Sequence, residues 1–299
     1  MMKVSIITVN FNQPKVTEEL LATIPAADDT EVIVVDNGSD IDYTADWRSK
    51  TPGIKFIRSE ENLGFAGGNN IGLRAAKGDY LFLVNNDTEF TPGLVETLVR
   101  VLDEHPEVGM VSPKIKYYYD KNLIQYAGYT PLNFYTCRNS CIGLREEDKG
   151  QYNNYIGPTA YCHGSAMMVR KEAIEKAGLM NENFFLYYEE LDWCERIKRA
   201  GYQAWVCTEA LIYHKESVSV GKKSRLKEYF MNRNRILFIR RNAPGVKKIV
   251  FYLYFLSVVV PRNIVNYVKA KNYNYIPTLF SAVWWNFTNN KNSRNLGYR

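Results

Sequence analysis

Three acids, Glu189, Glu190 and Asp192, follow an aromatic run in NFFLYYEELDWCERIKRAGY (183–202). Acids at the start of a helix complement its dipole by a few tenths to about 1 kcal/mol each. That accounts for one or two of them, but not for their position beside FFLYY. Carboxylates crowded against apolar rings raise one another's pKa, and one of the three can then accept a proton from a hydroxyl near neutral pH. A second acidic point is Asn85-Asn86-Asp87, one carboxylate and two amides at the end of LFLVNND (81–87). Mg²⁺ and Mn²⁺ favour oxygen ligands and often use few protein carboxylates, taking phosphate oxygens for the rest. His214, at the end of AWVCTEALIYH (204–214), could add a nitrogen to such an ion. The plainer reading of a lone histidine is a hydrogen-bonded structural residue.

The stretch NLGFAGGNN (62–70) holds three glycines and three asparagines between a short strand and a helix. Glycine lets backbone approach a ligand closely. A helix start offers N–H groups and positive potential to an anion, and asparagine adds neutral donors and acceptors. The spacing is neither GxGxxG nor GxxxxGK[ST], so neither a Rossmann dinucleotide site nor a P-loop is indicated. Taken alone, the stretch reads rather as a tight turn that packs a helix on a sheet; the polar ends of the other strands shift the reading toward a phosphate-bearing ligand.

These groups need elements to position them. VSIITVNF (4–11), EVIVVDNGSD (31–40), IKFIRSE (54–60) and YLFLVNND (80–87) are apolar, β-branched runs that suit buried strands. Helical spacing separates them at 15–24, 64–77 and 94–105. Strands alternating with helices predict a mostly parallel central sheet flanked by helices, an α/β fold. Ligands bind such sheets beyond the carboxyl ends of the strands. Polar groups collect there: Asn10 and Asn12, Asp36 with Asn37 and Asp40, then Asn85 to Asp87. Residues 110–170 suit shorter mixed strands. A strand and helix follow at 163–180, a helix ends at Gly201, and a last strand runs to His214.

The 299 residues allow one large domain or two small ones. Five cysteines, with no signal-peptide pattern at MMKVSIITVNF, read as free intracellular thiols, and Cys137 and Cys141 lack zinc-site partners. Charge is divided unevenly. Residues 1–221 carry 22 Lys and Arg against 31 Asp and Glu, whereas residues 222–299 carry 16 against one, Glu228. The C-terminal part is therefore expected to meet something anionic.

VSIITVNFN, VIVVDNGSD, NLGFAGGNN, LFLVNND and YYEELDWCERIKRAGY, in this order, resemble glycosyltransferase family 2, specifically its bacterial rhamnosyltransferase-like branch with the GT-A fold. The resemblance covers about residues 3–220. It implies a catalytic domain over 1–220, with a nucleotide-sugar half to about 110 and an acceptor half from 111, followed by a basic, aromatic helical region over 221–299. It implies that Thr8, Asn10, Asn12, Asp36 and Asn37 line a nucleotide pocket. Asn62, Gly64, Phe65 and Asn69 would shape it around nucleotide and sugar. Asn85-Asn86-Asp87 matches the family's metal motif with Asn85 in place of the first acid, which leaves Asp87 and His214 as ligands for Mn²⁺ or Mg²⁺. Glu190 stands at the position of the base, with Glu189 and Asp192 as substitutes. His163, Gly164 and Ser165 would face the acceptor, as would Arg196. The KESVS run after His214 lacks the family's usual glycine. The implied activity is inverting, metal-dependent transfer of a sugar from a nucleotide-sugar donor, with dTDP-rhamnose the leading candidate, to a hydroxyl of a cell-surface polysaccharide or lipid-linked precursor.

In the tail, IVFYLYFLSVVV (249–260) has twelve apolar residues before Pro261, fewer than the roughly 20 a membrane span needs. With its basic flanks and the second aromatic patch IPTLFSAVWWNF (276–287), it suits an interfacial helix on the cytoplasmic face of the plasma membrane. It would serve a glycan or polyprenyl-pyrophosphate-linked acceptor. Packing on the catalytic domain or a homodimer contact is the plainer alternative. Nucleic-acid binding is disfavoured because the aromatics cluster apart from Arg and Lys. A nucleotidyltransferase would want a basic residue in the first loop, where only Lys15 occurs, and a non-catalytic nucleotide-sugar sensor would not need the acids at 189–192.

Overall fold

The computed structural model describes residues 3–216 and 224–298. Among them, a ten-stranded sheet forms the centre. Parallel strands β1 (Val4–Asn10), β2 (Thr30–Asn37), β3 (Lys55–Ser59) and β4 (Tyr80–Asn85) lie in the order 3-2-1-4. β5 (Thr88–Phe90), β6 (Val108–Tyr117), β7 (Ile124–Tyr126), β8 (Ile156–Pro158), β9 (Ala166–Arg170) and β10 (Gln203–His214) complete it. The parallel expectation holds for β1 to β4, β6 and β10. β9 lies antiparallel between β4 and β6, so the sheet is mixed.

Side chains alternate across this sheet. Val4 and Ile6 of β1 and Phe82 and Val84 of β4 join one core, under α1 (Pro14–Leu21) and α4 (Leu94–Glu104). Ile7, Leu81 and Leu83 join the other, with α3 (Gly64–Ala75), α5 (Lys171–Ala177) and α6 (Glu189–Arg199). α2 (Thr44–Lys50) caps the β2–β3 end through Trp47, stacked on Phe56. Burial on both faces is why the strands read as continuous apolar runs.

The expected boundary at 220/221 and most of the KESVS run lie outside the described residues. Beyond them α7 (Arg225–Asn242) starts at Ser224, whose side chain accepts the Lys227 N–H. α8 (Gly245–Tyr254), a π turn (Phe255–Val259) and α9 (Val260–Lys269) form one helix of 25 residues, whose most apolar 18-residue stretch has mean hydropathy 1.5. The sequence expectation of a twelve-residue stretch ending at Pro261 is corrected here. Proline cannot donate its missing N–H, and the π turn just before it absorbs the gap so that the helix continues. By length and composition the helix could cross a membrane. However, one side, Phe251, Phe255, Val259 and Tyr267, is packed against Ile236 and Ile239 of α7 and Leu279 of α10 (Tyr275–Thr288). That side lies along the body, and 17% of the helix's most apolar stretch is buried. That same core takes in Phe184, Tyr188 and Leu191, so the C-terminal helices are built into the region that carries the three acids.

Candidate active site

The carboxyl ends of β1, β2, β4 and β10 and the start of β9 share one rim of the sheet, because β9 runs opposite to its neighbours. At its centre His214 Nε2 lies 3.1 Å from Asp87 Oδ1, both side chains nearly buried. His214 Nδ1 lies 2.8 Å from Gln125 Oε1 on β7. An amide oxygen only accepts, so Nδ1 carries the hydrogen and Nε2 turns a lone pair toward the carboxylate. A proton or cation between them resolves that contact. This donor set, one carboxylate oxygen and one imidazole nitrogen oriented by an amide, fits Mn²⁺ or Mg²⁺. Among the described residues no third His, Cys, Asp or Glu joins them into a cluster, which suits an ion completed by water and substrate phosphate.

His163 packs beside this pair. Its ring centroid is 6.4 Å from that of His214, and it stacks on Tyr129. Its Nδ1 lies 2.8 Å from Ser165 Oγ and accepts the Ser165 N–H at 3.2 Å. Burial, and then the neighbouring His214, holds His163 down to about 3, so its ring is neutral at working pH. The Ser165 carbonyl accepts the Asn85 N–H, which ties the loop to the end of β4. A side chain at Gly164 would sit 3.6 Å from Glu190 Cγ, so this loop lies over the candidate base.

Glu189 and Glu190 open α6, behind a loop in which Phe185, Tyr187 and Tyr188 all have positive φ, between 63° and 74°. Non-glycine residues adopt that region only when their surroundings enforce it. Enforcement comes from α7. Asn234 Nδ2 donates to the carbonyls of Phe184, Leu186 and Tyr187 at 2.7–2.9 Å, and Arg233 donates to those of Asn183 and Phe184. Both side chains are completely buried. Burial pushes the Glu190 carboxyl up to about 7, partly offset by nearby backbone N–H groups. Burial, then the charge of Glu190, drives the Glu189 carboxyl well above its ordinary value.

Asp192, a substitute base by sequence, is corrected. Its buried carboxylate accepts from Arg196 at 2.9 Å, Asn242 at 2.8 Å and Arg241 at 3.4 Å, which pins α6 to α7 and leaves no oxygen for an acceptor. Arg196 is corrected with it. The remaining contacts of its guanidinium are with the Ala177 and Gly178 carbonyls, away from Gly164 and Glu190.

At the carboxyl ends of β1 and β2, Asn10 donates to Asp36 at 2.9 Å and to Ser39, and accepts from Thr17. Asp36, fully buried, also takes Ser39 Oγ and the Arg58 guanidinium. Asn12 and Asp40 bond each other at the surface above. Asn37 donates to Asn62 and to the Gly64 carbonyl and accepts the Leu63 N–H. Thr8, Asn69 and Asn86 are buried beneath the rim. Asn69 bonds the Phe65 carbonyl and Asn86 bonds Thr17.

The anion-cradle reading of 62–70 is also corrected. The N–H groups that open α3 are taken: Leu63 by Asn37, Gly64 by Asn62 and Phe65 by the Phe185 carbonyl. A Cβ on Gly64 would lie 2.2 Å from that carbonyl, and one on Gly68 would lie 2.8 Å from Val9 Cγ1. The glycines are there for close packing.

Sequence reasoning missed Arg58, Ser39, Gln125, Arg233 and Asn234. Ser39 stood in a run already singled out. The others have no local signal, since each acts on a partner far along the chain.

Comparison with known proteins bears on the family and the fold. The chain is 29% identical over 287 residues to a low-salt glycan biosynthesis hexosyltransferase of Haloferax volcanii, covering 93% of this chain and 89% of that one. It is 22% identical to an N-acetylglucosaminyl-diphospho-decaprenol L-rhamnosyltransferase of Mycobacterium tuberculosis, covering 73% and 77%. Among solved structures, S. aureus TarS 1-349 in complex with UDP-GlcNAc superposes with a TM-score of 0.61 at 16% identity, over 95% of this chain and 81% of that one. A Pyrobaculum calidifontis mannosyltransferase in complex with GDP-Man and Mn²⁺ gives 0.58 at 18%, over 96% and 76%. The fold is GT-A. The model of glycosyl transferase family 2 matches residues 5–178, more than half of the chain, and the protein belongs to that family as a glycosyltransferase.

Proposed function

We propose that this enzyme transfers a sugar with inversion, using a divalent metal ion, from a nucleotide-sugar donor to a hydroxyl of a cell-surface polysaccharide or lipid-linked oligosaccharide precursor. Rhamnose from dTDP-rhamnose is the leading donor, by likeness to the relatives named for rhamnosyl transfer. The observation that carries the reading is Glu190: a carboxyl brought up to about 7, beneath the Gly164 loop and on the same rim as Asp87 and His214.

Glu190 takes the proton of the acceptor hydroxyl. That oxygen bonds to the anomeric carbon from the face opposite the diphosphate. The anomeric carbon–oxygen bond to the diphosphate breaks, and the nucleoside diphosphate leaves with the electron pair. Burial disfavours the charged form of Glu189 beside it. Asp87 and His214 would hold Mn²⁺ or Mg²⁺, whose positive charge stabilises a leaving diphosphate. Asn12, Asp36, Asn37, Asn62 and Arg58 frame the nucleotide side. The acceptor approaches from the His163–Ser165 side. We further propose peripheral contact with the cytoplasmic membrane face. Val246, Ile249 and Leu253 of α8 and Trp284 and Phe287 of α10 support it, all more than half exposed near the basic residues of the tail.

The test is Glu190→Gln with a panel of nucleotide sugars, with and without Mn²⁺. Transfer is expected to fall by about 10²–10⁴-fold, the usual weight of a general base. The true donor should still raise the melting temperature. Near-normal turnover in the variant would assign the proton to another group.

A further inference from the structure

One face of α7 is not spent on the core or on the site loop. Ser224, Lys227, Glu228, Met231, Asn232 and Arg235 recur along it at helical spacing and line a cavity of about 320 Å³. Tyr188, Asn263 of α9 and Tyr275 at the start of α10 form the opposite wall.

The charges of this cavity are incompletely matched. Glu228 is its single carboxylate among the described residues, and its Oε1 is occupied by Asn232, at 2.7 Å, and by the Tyr267 hydroxyl. Lys227 and Arg235 form no ion pair among the described residues. Lys227 Nζ stands 5.8 Å from the centre of the Tyr187 ring. Arg235 donates from Nη2 to the Thr136 carbonyl and lies over Phe255, while its Nε is buried with no partner among the described residues. A guanidinium held partly out of water with an unused N–H is costly unless an anion meets it. Two cations on one wall of a cavity match a phosphate-bearing ligand.

The position gives that ligand a role. Tyr187 and Tyr188 separate the cavity from Glu189 and Glu190. Away from the cavity, α9 exposes Val265 and Val268. A ligand with a charged head in the cavity would therefore have the catalytic rim on one side and an apolar helix surface on the other.

We propose that this cavity is the acceptor-anchoring subsite, in which Lys227 and Arg235 grip the diphosphate of a lipid-linked acceptor and present the sugar beyond it across Tyr188 to Glu190. It rests on the reading of the protein as a glycosyltransferase with a lipid-linked acceptor. The ligand chemistry is a diphosphate, from a prenyl lipid rather than from a free anion or the donor.

The experiment titrates the full chain with farnesyl diphosphate, inorganic pyrophosphate and dTDP by calorimetry, and repeats the titrations with Lys227→Gln and Arg235→Gln. Farnesyl diphosphate is expected to bind, and each variant to weaken it by about tenfold or more, the loss of a charge-assisted hydrogen bond. Affinity for dTDP should change by less than roughly twofold, since neither residue lies on the nucleotide side. Lys227 is in the first turn of α7, so its variant decides the matter if the Arg235 variant fails to fold. Unchanged binding in the variants overturns the proposal. So does pyrophosphate binding as tightly as the prenyl ligand, which indicates a free-anion site, or displacement of the prenyl ligand by dTDP, which places it in the donor site. If no nucleotide sugar binds or is turned over while farnesyl diphosphate binding keeps its sensitivity to both variants, the transferase reading fails and the subsite stands.

Discussion

A carboxyl that titrates near 7 is half ionised at working pH, and two consequences follow for Glu190. The acid limb of the kcat/KM profile is expected near pH 7 and should vanish from the residual activity of Glu190→Gln. Stability should move the other way. The folded state binds the proton more tightly than the unfolded chain, so the fold loses stability as pH rises from the ordinary carboxylate range through 7. Glu190→Gln removes that loss, and its melting temperature at pH 8 should exceed that of the wild type. His163 contributes no limb, being neutral throughout. Gln125 orients His214, and removing such an outer partner typically weakens metal binding 10–100-fold. Gln125→Leu should weaken Mn²⁺ binding by about that factor in a donor-dependent titration, while donor binding without metal is preserved. The acids, Asp87 and His214 were legible because each ends or begins an element recognisable by its own pattern. Gln125 and Arg58 were not, since an amide or a guanidinium gains its role only when folding sets it against a distant partner.

The loop before α6 is a strained element held by a remote one. Three positive-φ residues persist because Asn234 and Arg233 accept no alternative geometry for its carbonyls. Asn234→Ala takes the donor from the Leu186 and Tyr187 carbonyls at once, while the Phe184 carbonyl keeps Arg233. A single unsatisfied buried group costs about 1–3 kcal/mol, so urea denaturation should show a loss of at least that order. kcat should fall more than the KM for donor rises, because the displaced group is Glu190 and not the nucleotide side. Strands β1, β2 and β4 were legible as apolar runs, since burial on both faces leaves an unbroken signal. The glycine run was legible as a close approach, but not as to what. Phe185 fills the space at Gly64 and Val9 at Gly68, and neither is encoded near residue 64. Pro261 misled in the same way, because a π turn rescues the helix with no distinctive residue of its own.

At the scale of the whole molecule, basic residues and exposed apolar side chains share the C-terminal helices. Each Lys or Arg near an anionic leaflet adds about 1 kcal/mol, an attraction that salt screens. The full chain should co-sediment with anionic vesicles, less so at high salt. Leu253→Glu with Trp284→Glu should abolish this while leaving turnover on a water-soluble acceptor intact. Absence of co-sedimentation in the wild type would assign these surfaces elsewhere. The charge division made this region conspicuous in the sequence, whereas its docking through Phe184 and Tyr188 was hidden, because apolar helices look alike whatever they cover. The antiparallel β9 has a consequence for the making of the protein. β4 ends at residue 85, but the strand that pairs with its open side begins at 166. During synthesis on the ribosome, the nascent first half therefore carries a row of unsatisfied peptide groups until the chain has grown almost twice as long, an interval in which strand-to-strand aggregation competes with folding.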